Sequence, residues 1–170
     1  ELKMADMFDI CHGGGLDLCA LGLAEIDAMG NVNVSKFHGR VTGPGGFIDL
    51  AQHTKKLILM GTFTAGGLRE HCEGGRLVID REGKYQKFKT DIEQVTFSGD
   101  YAAAHGQHVL VVTERAVFRL TPQGLMLTEI APGVDLERDI LSQMEFRPLI
   151  ADDLQLMDGR IFQPNPMGLS

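Results

Sequence analysis

Clustered glycines constrain the possible folds of this chain more than any other feature of its sequence. The chain has 21 glycines in 170 residues, whereas glycine makes up roughly 7% of an average protein. Groups of glycines lie at 13–15, 43–46, 66–67 and 74–75, between well-patterned apolar runs. Because glycine tolerates positive φ and lets backbone approach a ligand, these groups indicate tight turns or ligand-contacting loops rather than a flexible linker.

The segments between the glycine groups predict a domain that is richer in strand than in helix. Apolar or alternating runs predict strands at 16–26, 31–34, 55–63, 76–79, 85–88, 108–113, 116–120 and 125–130. We expect a hairpin turn at 27–31, an antiparallel hairpin of 76–79 with 85–88, and pairing of 116–120 with 125–130. The β-branched run at 108–113 should lie centrally in a sheet. Helices are predicted at 47–53, at 98–104 with Ser98 as its cap, and at 135–144 with Asp135 as its cap. The predicted fold class is mixed α/β, a strand-rich open sheet with flanking helices.

Composition and charge limit the kinds of partner that the chain can have. Hydrophobic residues make up 44% and charged residues 23%, and no apolar run reaches the roughly 20 residues of a membrane-spanning helix. The net charge of -7 disfavours nucleic acid, which is bound largely by Lys and Arg. Cys11, Cys19 and Cys72 contain no CxxC pair, and the histidines lack metal-binding spacing. We therefore expect a cytoplasmic protein without membrane, nucleic-acid or metal partners.

The Gly-Pro-Gly-Gly stretch at 43–46 is the strongest candidate for a binding loop. It precedes a predicted helix, so its backbone N–H groups could bind an oxyanion or a phosphate. A tight turn without a ligand explains the stretch equally well, and it fits neither the Walker nor the dinucleotide pattern. The loop at 62–67 follows a core strand, where ligands of open α/β sheets bind; a plain turn is again an equal alternative. The glycines at 13–15 favour a structural role.

The remaining polar candidates favour structural roles. Glu25 and Asp27 share one face of a predicted strand, but carboxylates beside a hairpin are more often solvated charges than an acid/base pair. Glu114 and Arg115 are interpreted as a structural charge pair. His12, beside the first glycine group, could donate to a ligand, but a lone histidine is more often a surface residue or one with a structural partner.

The order of seven motifs along the chain resembles the β half of family I CoA transferases. The motifs are Gly-Gly-Gly-Leu-Asp (13–17), Leu-Gly-Leu-Ala-Glu-Ile-Asp (21–27), Gly-Asn-Val-Asn-Val (30–34), Gly-Pro-Gly-Gly-Phe-Ile-Asp (43–49), Gly-Thr-Phe-Thr-Ala-Gly-Gly (61–67), Val-Thr-Glu-Arg-Ala-Val-Phe (112–118) and Glu-Ile-Ala-Pro-Gly-Val-Asp-Leu-Glu-Arg-Asp-Ile-Leu (129–141). The resemblance covers residues 8–162 and is strongest to the fused acetate/propionate, or short-chain acyl-CoA, transferases. It implies an incomplete β domain of that family.

The resemblance implies a ping-pong reaction that passes through a glutamyl-CoA thioester. A glutamate attacks the acyl-CoA thioester, an anhydride forms, and a second carboxylate finally takes the CoA. Acyl-CoA and a short-chain carboxylate are then substrates, and no permanently bound cofactor is implied. The implied oxyanion-hole residues are Gly43, Gly45 and Gly46. Possible walls of the pocket are Gly13, Gly14, Thr62 and Thr64.

The chain departs from the family at the nucleophile. The family's glutamate lies in a Glu-x-Gly motif upstream of the 13–17 stretch, and no such motif occurs there; Glu25 and Glu114 match other family positions. The chain also begins with Glu1 rather than Met. We therefore expect no catalytic residue in this chain and no activity of the chain alone. Residues 1–162 are expected to be the C-terminal portion of a β domain, and residues 163–170 a flexible tail.

The expected partners are the α half and the N-terminal β segment of the enzyme, within a homo-oligomer of short-chain fatty acid metabolism. Two other functions stay open on the sequence. The chain could be a non-catalytic CoA-binding, acyl-binding or assembly module with the same fold. A sugar-phosphate isomerase of related fold is the third possibility, although its catalytic pattern is not seen.

Overall fold

The computed structural model describes residues 2–169 of the chain. Within them the helices are α1 (Met4–Ile10), α2 (Phe47–Ala51) and α3 (Gly99–Ala104), and shorter helical turns lie at Cys11–Gly15, Leu136–Ile140, Leu141–Gln143 and Gly159–Phe162. The strands are β1 (Leu18–Gly22), β2 (Glu25–Ile26), β3 (Val32–Asn33), β4 (Lys36–Phe37), β5 (Arg40–Val41), β6 (Lys56–Met60), β7 (Thr64–Ala65), β8 (Arg69–Glu73), β9 (Arg76–Arg81), β10 (Tyr85–Gln86), β11 (His108–Val112), β12 (Ala116–Thr121), β13 (Gly124–Ile130) and β14 (Leu149–Leu156).

Six strands form one mixed sheet in the order β1-β6-β11-β12-β13-β14. β6 pairs in parallel with both β1 and β11, whereas β12 runs antiparallel to β11 and β13. The parallel strands therefore end side by side at Gly22, Met60 and Val112. We call this end of the sheet the carboxyl edge and the opposite end the amino edge. The predicted mixed α/β class is confirmed.

The larger core cluster lies on one face of this sheet, and a smaller one forms around Leu77, Val117 and Phe162. Leu57, Leu59 and Val111 are fully buried, and they alternate with outward-facing residues as a strand requires. Side chains of α2 and α3 pack against this face. The rings of Phe63 and Phe88 stack with their centroids 4.5 Å apart, so the core continues past the carboxyl edge under the loops that end the strands.

Helix α2 ends at the amino edge and begins on the side of the carboxyl edge. Its last residue, Ala51, accepts a hydrogen bond at 2.7 Å from Nε2 of Gln107, which immediately precedes β11 at the amino edge. α1 lies beside α2 in the same direction. Phe8 packs against Gly46 at the start of α2, and the ring of His12 lies 4.4 Å from that of His53 beyond its end. The first residue of α2 and the loop before it therefore lie on the side of the carboxyl edge.

Several predicted elements are confirmed. α2 and α3 occupy the predicted segments 47–53 and 98–104, and the Ser98 hydroxyl accepts a hydrogen bond from the Tyr101 amide at 3.2 Å, as a helix cap does. β11 is central in the sheet, and β12 pairs with β13 as expected.

The predicted hairpin of 76–79 with 85–88 is wrong. β9 pairs instead with β8, and β10 pairs with β7. Gly74 and Gly75, between β8 and β9, both have positive φ, at +59° and +77°. Two consecutive residues with positive φ form the turn that best matches the twist of a two-stranded hairpin, so the glycine pair selects β8 as the partner.

The run at 16–26 is two strands rather than one buried strand. β1 ends at Gly22, the Leu23 amide donates to the Met60 carbonyl at 2.7 Å, and the chain turns into β2, which pairs with β3. β1 also lies at the edge of the sheet, so Leu18 is 55% exposed. The predicted hairpin around 27–31 is confirmed by this β2–β3 pairing.

The predicted helix at 135–144 is instead two short turns, at Leu136–Ile140 and Leu141–Gln143. Asp135 does cap the first of them, since its carboxylate accepts from the Arg138 amide at 2.7 Å. The carbonyl of Asp139 accepts a hydrogen bond from Arg115 at 3.1 Å. This long-range bond uses the carbonyl that would accept the Gln143 amide in a continuous α-helix, so it favours a break at this point.

The sequence prediction missed β14, whose central residues Asp152 and Asp153 interrupt the apolar pattern. Residues 163–169 contain neither helix nor strand, and their flexibility stays a prediction, as do the domain boundaries. Glu1 and Ser170 lie outside the described residues. None of the helices found between residues 2 and 169 combines the length and the apolar character needed to cross a membrane.

Candidate functional site

The glycine-rich loop at 43–46 is a shaped turn between β5 and α2. The Thr42 and Gly43 amides both donate to the Ser35 carbonyl, at 2.9 and 3.1 Å, and the Phe47 amide donates to the Pro44 carbonyl at 3.1 Å. Gly43 has φ +84° and Gly45 has φ +56°. Since side chains are strained at these angles, both glycines are needed for the turn itself.

Two amides of this loop remain available to a ligand. Within residues 2–169, the N–H groups of Gly45 and Gly46 have no hydrogen-bond acceptor in the protein. Gly45 is exposed, and a Cβ placed on it would meet nothing within 4 Å. Adjacent amides beside open space can bind an oxyanion. Of the three predicted residues, Gly43 already uses its N–H on Ser35, so it shapes the turn rather than offering a donor.

The other predicted pocket residues lie in two different places. Thr62 and Thr64 follow β6 at the carboxyl edge. Thr64 is buried, donates to Glu82 and accepts from the Gly83 amide at 3.0 Å, so its hydroxyl is already paired. Gly14 lies 3.8 Å, measured from an ideal Cβ, from the His53 carbonyl beyond the end of α2. The structure therefore does not bring Gly13 and Gly14 together with the loop, and their role as pocket walls stays a prediction.

A buried ion-pair network fixes the loops at the carboxyl edge. Arg115 is fully buried; its guanidinium donates to both oxygens of Glu82, at 2.7 and 3.0 Å, and to Glu114 at 2.6 Å. The second oxygen of Glu114 accepts from the Phe63 amide at 2.8 Å. The guanidinium carbon lies 5.0 Å from the centre of the Phe63 ring. The predicted structural pair of Glu114 with Arg115 is thus confirmed, and it extends to Glu82, which the sequence analysis missed.

Acid is expected to weaken this network through Glu82. Burial by itself would raise the pKa of Glu82, but hydrogen bonds from Arg115 and Thr64 hold it below its usual value. A carboxyl with a lowered folded pKa contributes stability above its unfolded pKa of about 4.3, and that contribution disappears as the pH falls through the folded pKa.

We therefore expect Glu82→Gln to lower the free energy of unfolding at pH 7, and the difference from wild type to shrink below about pH 4. Urea denaturation at several pH values measures both. The control is Glu70→Gln on the exposed strand β8, which should change little at either pH. A Glu82→Gln deficit that does not vary with pH would contradict the assignment.

A cavity of about 590 Å³ opens at the carboxyl edge beside the hairpin that leads into the glycine loop. Its walls are formed by Ala24, Glu25, Phe37, His38, Ala65, Gly83, Lys84, Tyr85, Gln86, Lys87, Lys89 and Gln143. Phe37 and His38 belong to the β4–β5 hairpin, which continues into residues 43–46. The sequence analysis missed the lysines, although their close spacing at 84, 87 and 89 directly after Gly83 was a readable signal.

No cluster of three or more potential metal-ligating side chains occurs in the part of the chain that the structure describes. At Glu25, one carboxylate oxygen accepts from Nδ2 of Asn33 at 2.8 Å. Its neighbour Asp27 accepts from the amides of Met29 and Asn31, each at 2.9 Å. The pair therefore caps the β2–β3 hairpin, and Asp27 contributes no free base.

The sequence is similar to that of curated CoA-transferases. It is 50% identical over 167 residues to the acetate CoA-transferase YdiF of Escherichia coli (strain K12), which covers 98% of this chain and 32% of that protein. It is 48% identical over 178 residues to the caffeate CoA-transferase of Acetobacterium woodii, covering 99% of this chain and 33% of that protein. The chain thus spans about a third of the length of these relatives. No protein-family model matches it.

The fold is similar to a solved structure of the same kind of protein. The apoenzyme of the acyl-CoA transferase YdiF from Escherichia coli O157:H7 superposes with a TM-score of 0.96 at 50% identity, covering 99% of this chain and 33% of that chain. The same values hold for the thioester complex of that protein with CoA.

Proposed function

Because the chain belongs to the CoA-transferase family, as a segment of the β half, we propose that it is part of a short-chain acyl-CoA:carboxylate CoA transferase. The two relatives are named for different acids, acetate and caffeate. Their shared chemistry supports the transfer of CoA between carboxylates, and it leaves the preferred acid open. On this proposal, the chain supplies backbone donors for the step in which the acyl-CoA thioester is attacked.

The proposed reaction moves CoA from one acid to another through the enzyme. A glutamate carboxylate attacks the carbonyl carbon of the acyl-CoA, the C–S bond breaks, and an acyl-glutamyl anhydride and CoA thiolate form. The thiolate attacks the glutamyl carbon of the anhydride, which releases the first acid and leaves a glutamyl-CoA thioester. The second carboxylate reverses both steps and takes the CoA.

The observation that carries the proposal is the pair of unpartnered amides at Gly45 and Gly46. Each attack places negative charge on a carbonyl oxygen, and stabilisation of that charge by fixed N–H donors is a large part of catalysis. The loop is held by the Ser35 carbonyl and by Phe8 packed on Gly46. Its donors are therefore set in place before the substrate arrives.

We propose that the nucleophilic glutamate comes from polypeptide outside these 170 residues. Within this chain the carboxylates at the carboxyl edge already have structural partners: Glu82 and Glu114 bind Arg115, and Glu25 binds Asn33. On this proposal the chain alone transfers no CoA and acts together with the rest of the enzyme. A non-catalytic CoA-binding or assembly module of the same fold is the alternative that the experiment below separates.

Borohydride trapping tests the covalent intermediate. The complete enzyme is incubated with acyl-CoA and then with sodium borohydride, which reduces a glutamyl thioester to an alcohol. We expect progressive loss of CoA-transferase activity after acyl-CoA, and no loss in the control that receives borohydride alone. Full activity after both reagents would contradict the covalent route. CoA binding without any exchange between acids would favour the non-catalytic module.

A further inference from the structure

The cavity at the carboxyl edge has a basic lining in a chain whose net charge is -7. Lys84, Lys87 and Lys89 contribute to its walls together with His38, and Glu25 is the carboxylate among its lining residues. Lys89 forms an ion pair with Glu145, so it is neutralised. Lys84 is exposed, which leaves Lys87 as the half-buried cation of the wall.

Lys87 is an incompletely compensated cation. Its Nζ donates to the Leu23 carbonyl at 3.0 Å, and within residues 2–169 it forms no ion pair. An ammonium group has three N–H donors. Burial lowers the pKa of Lys87, and the negative charge of Glu114 opposes this only in part. Both oxygens of Glu114 are occupied, by Arg115 and by the Phe63 amide.

The backbone is built to admit this ammonium group. A Cβ on Gly61 would lie 3.1 Å from Nζ of Lys87 and 3.2 Å from the Leu23 carbonyl oxygen. The φ of Gly61 is not positive, so the turn itself does not require glycine there. The ammonium group and the Leu23 carbonyl together leave little room for a side chain at position 61.

The shape of the cavity suits part of a larger ligand. Its volume of about 590 Å³ falls within the range of small-molecule sites and far exceeds the few atoms of acetate. Tyr85 and Phe37 supply aromatic surface, and the lysines supply charge. A half-buried cation without a carboxylate partner costs free energy that an incoming anion recovers.

We propose that this cavity binds an anionic group of the substrate, either a phosphate of CoA or the carboxylate of the acid, and that Lys87 holds that group. The identity of the ligand rests on the proposed function, whereas the anion-binding property rests on the cavity and on Lys87. Lys87 is a binding residue here, and the oxyanion loop at 43–46 is a separate element that does not line the cavity.

Calorimetric titration of the complete enzyme with CoA, and separately with acetate, tests the proposal. Lys87→Met keeps most of the side-chain volume and removes the charge. We expect it to weaken the binding of one of the two ligands about tenfold or more, as the loss of a charged hydrogen bond does, and to leave the other within about twofold. Weaker CoA binding identifies a phosphate, and weaker acetate binding identifies the carboxylate.

Three further variants complete the experiment. Lys87→Arg keeps the charge and should retain most of the binding. Gly61→Ala keeps the charge of Lys87 but crowds its Nζ, so it should weaken the binding of the same ligand by less than Lys87→Met does. Lys55→Met, at the amino edge, is the control that should bind both ligands like wild type.

The proposal is overturned if Lys87→Met binds both ligands like wild type, if Lys87→Arg is as defective as Lys87→Met, or if the wild-type enzyme binds neither ligand. Calorimetry requires no turnover, so the two proposals can fail separately. An enzyme that transfers no CoA but loses anion binding on Lys87→Met would contradict the proposed function and support the cavity.

Discussion

Replacing Gly45 with valine in the complete enzyme is expected to lower kcat by about 10²-fold or more, because loss of one oxyanion donor has effects of this size. A Cβ on Gly45 points into open space, where the reacting thioester is proposed to lie, so a branched side chain would displace the oxygen from the amides. The measurement is the steady-state rate of CoA exchange between two acids.

The control for this variant is Gly74→Val in the β8–β9 turn. Gly74 has φ +59°, against +56° for Gly45, and neither has a neighbour within 4 Å of an ideal Cβ. Both substitutions therefore impose the same kind of backbone strain on an exposed turn. Gly74→Val should keep a near-normal kcat. Equal losses in the two variants would mean that strain, and not the loss of the donors, explains the effect.

Replacing Arg115 with methionine is expected to lower the free energy of unfolding by about 3–5 kcal/mol, the usual result of removing one partner from a buried ion pair. Arg115 is fully buried, and its loss leaves Glu82 and Glu114 facing each other without a cation. The Asp139 carbonyl also loses its donor. Urea denaturation with the change followed by circular dichroism measures the difference.

Arg138→Met is the matched control for Arg115→Met. Arg138 pairs with the carboxylate of Asp139, but its side chain is 74% exposed, and exposed ion pairs contribute about 0–1 kcal/mol. We therefore expect a small change. Similar losses of stability in the two variants would show that the buried ion pairs of Arg115 contribute no more to the free energy of unfolding than an exposed ion pair does.

The sequence located the glycine loop because its signal is local. Positive φ at Gly43 and Gly45 is encoded by the residues themselves, and so is the Ser98 cap of α3. The use of the Gly43 amide by Ser35 could not be predicted, since it depends on how the β4–β5 hairpin folds back. The sequence therefore gave three candidate donors, and the structure leaves two.

The errors have a common cause in contacts between distant residues. Arg115 reaches the Asp139 carbonyl across 24 positions and breaks the predicted helix at 135–144. Lys87 donates to the Leu23 carbonyl across 64 positions. The position of Lys87 in the cavity wall could therefore not be predicted from the residues next to it in the sequence. The wrong prediction of a hairpin between 76–79 and 85–88 has a different cause. Gly74 and Gly75 are a local signal for the β8–β9 turn, but the prediction relied instead on the apolar runs on either side of Glu82.

The separation of Gly13 and Gly14 from the loop follows from the direction of α1. The glycine group lies at the end of a segment that runs beside α2, so it reaches the amino edge before β1 begins. The sequence placed the first glycine group before a strand and the second before a helix, but only the three-dimensional structure shows that they lie toward opposite ends of α2.

The most direct measurement is a structure of the complete enzyme trapped as its acyl or CoA thioester. A thioester carbonyl oxygen 2.7–3.1 Å from the amide nitrogen of Gly45 or Gly46 is the predicted result, since that is the distance of a working oxyanion donor. A thioester bound elsewhere, with the loop at 43–46 facing solvent or filled by core side chains, would contradict it.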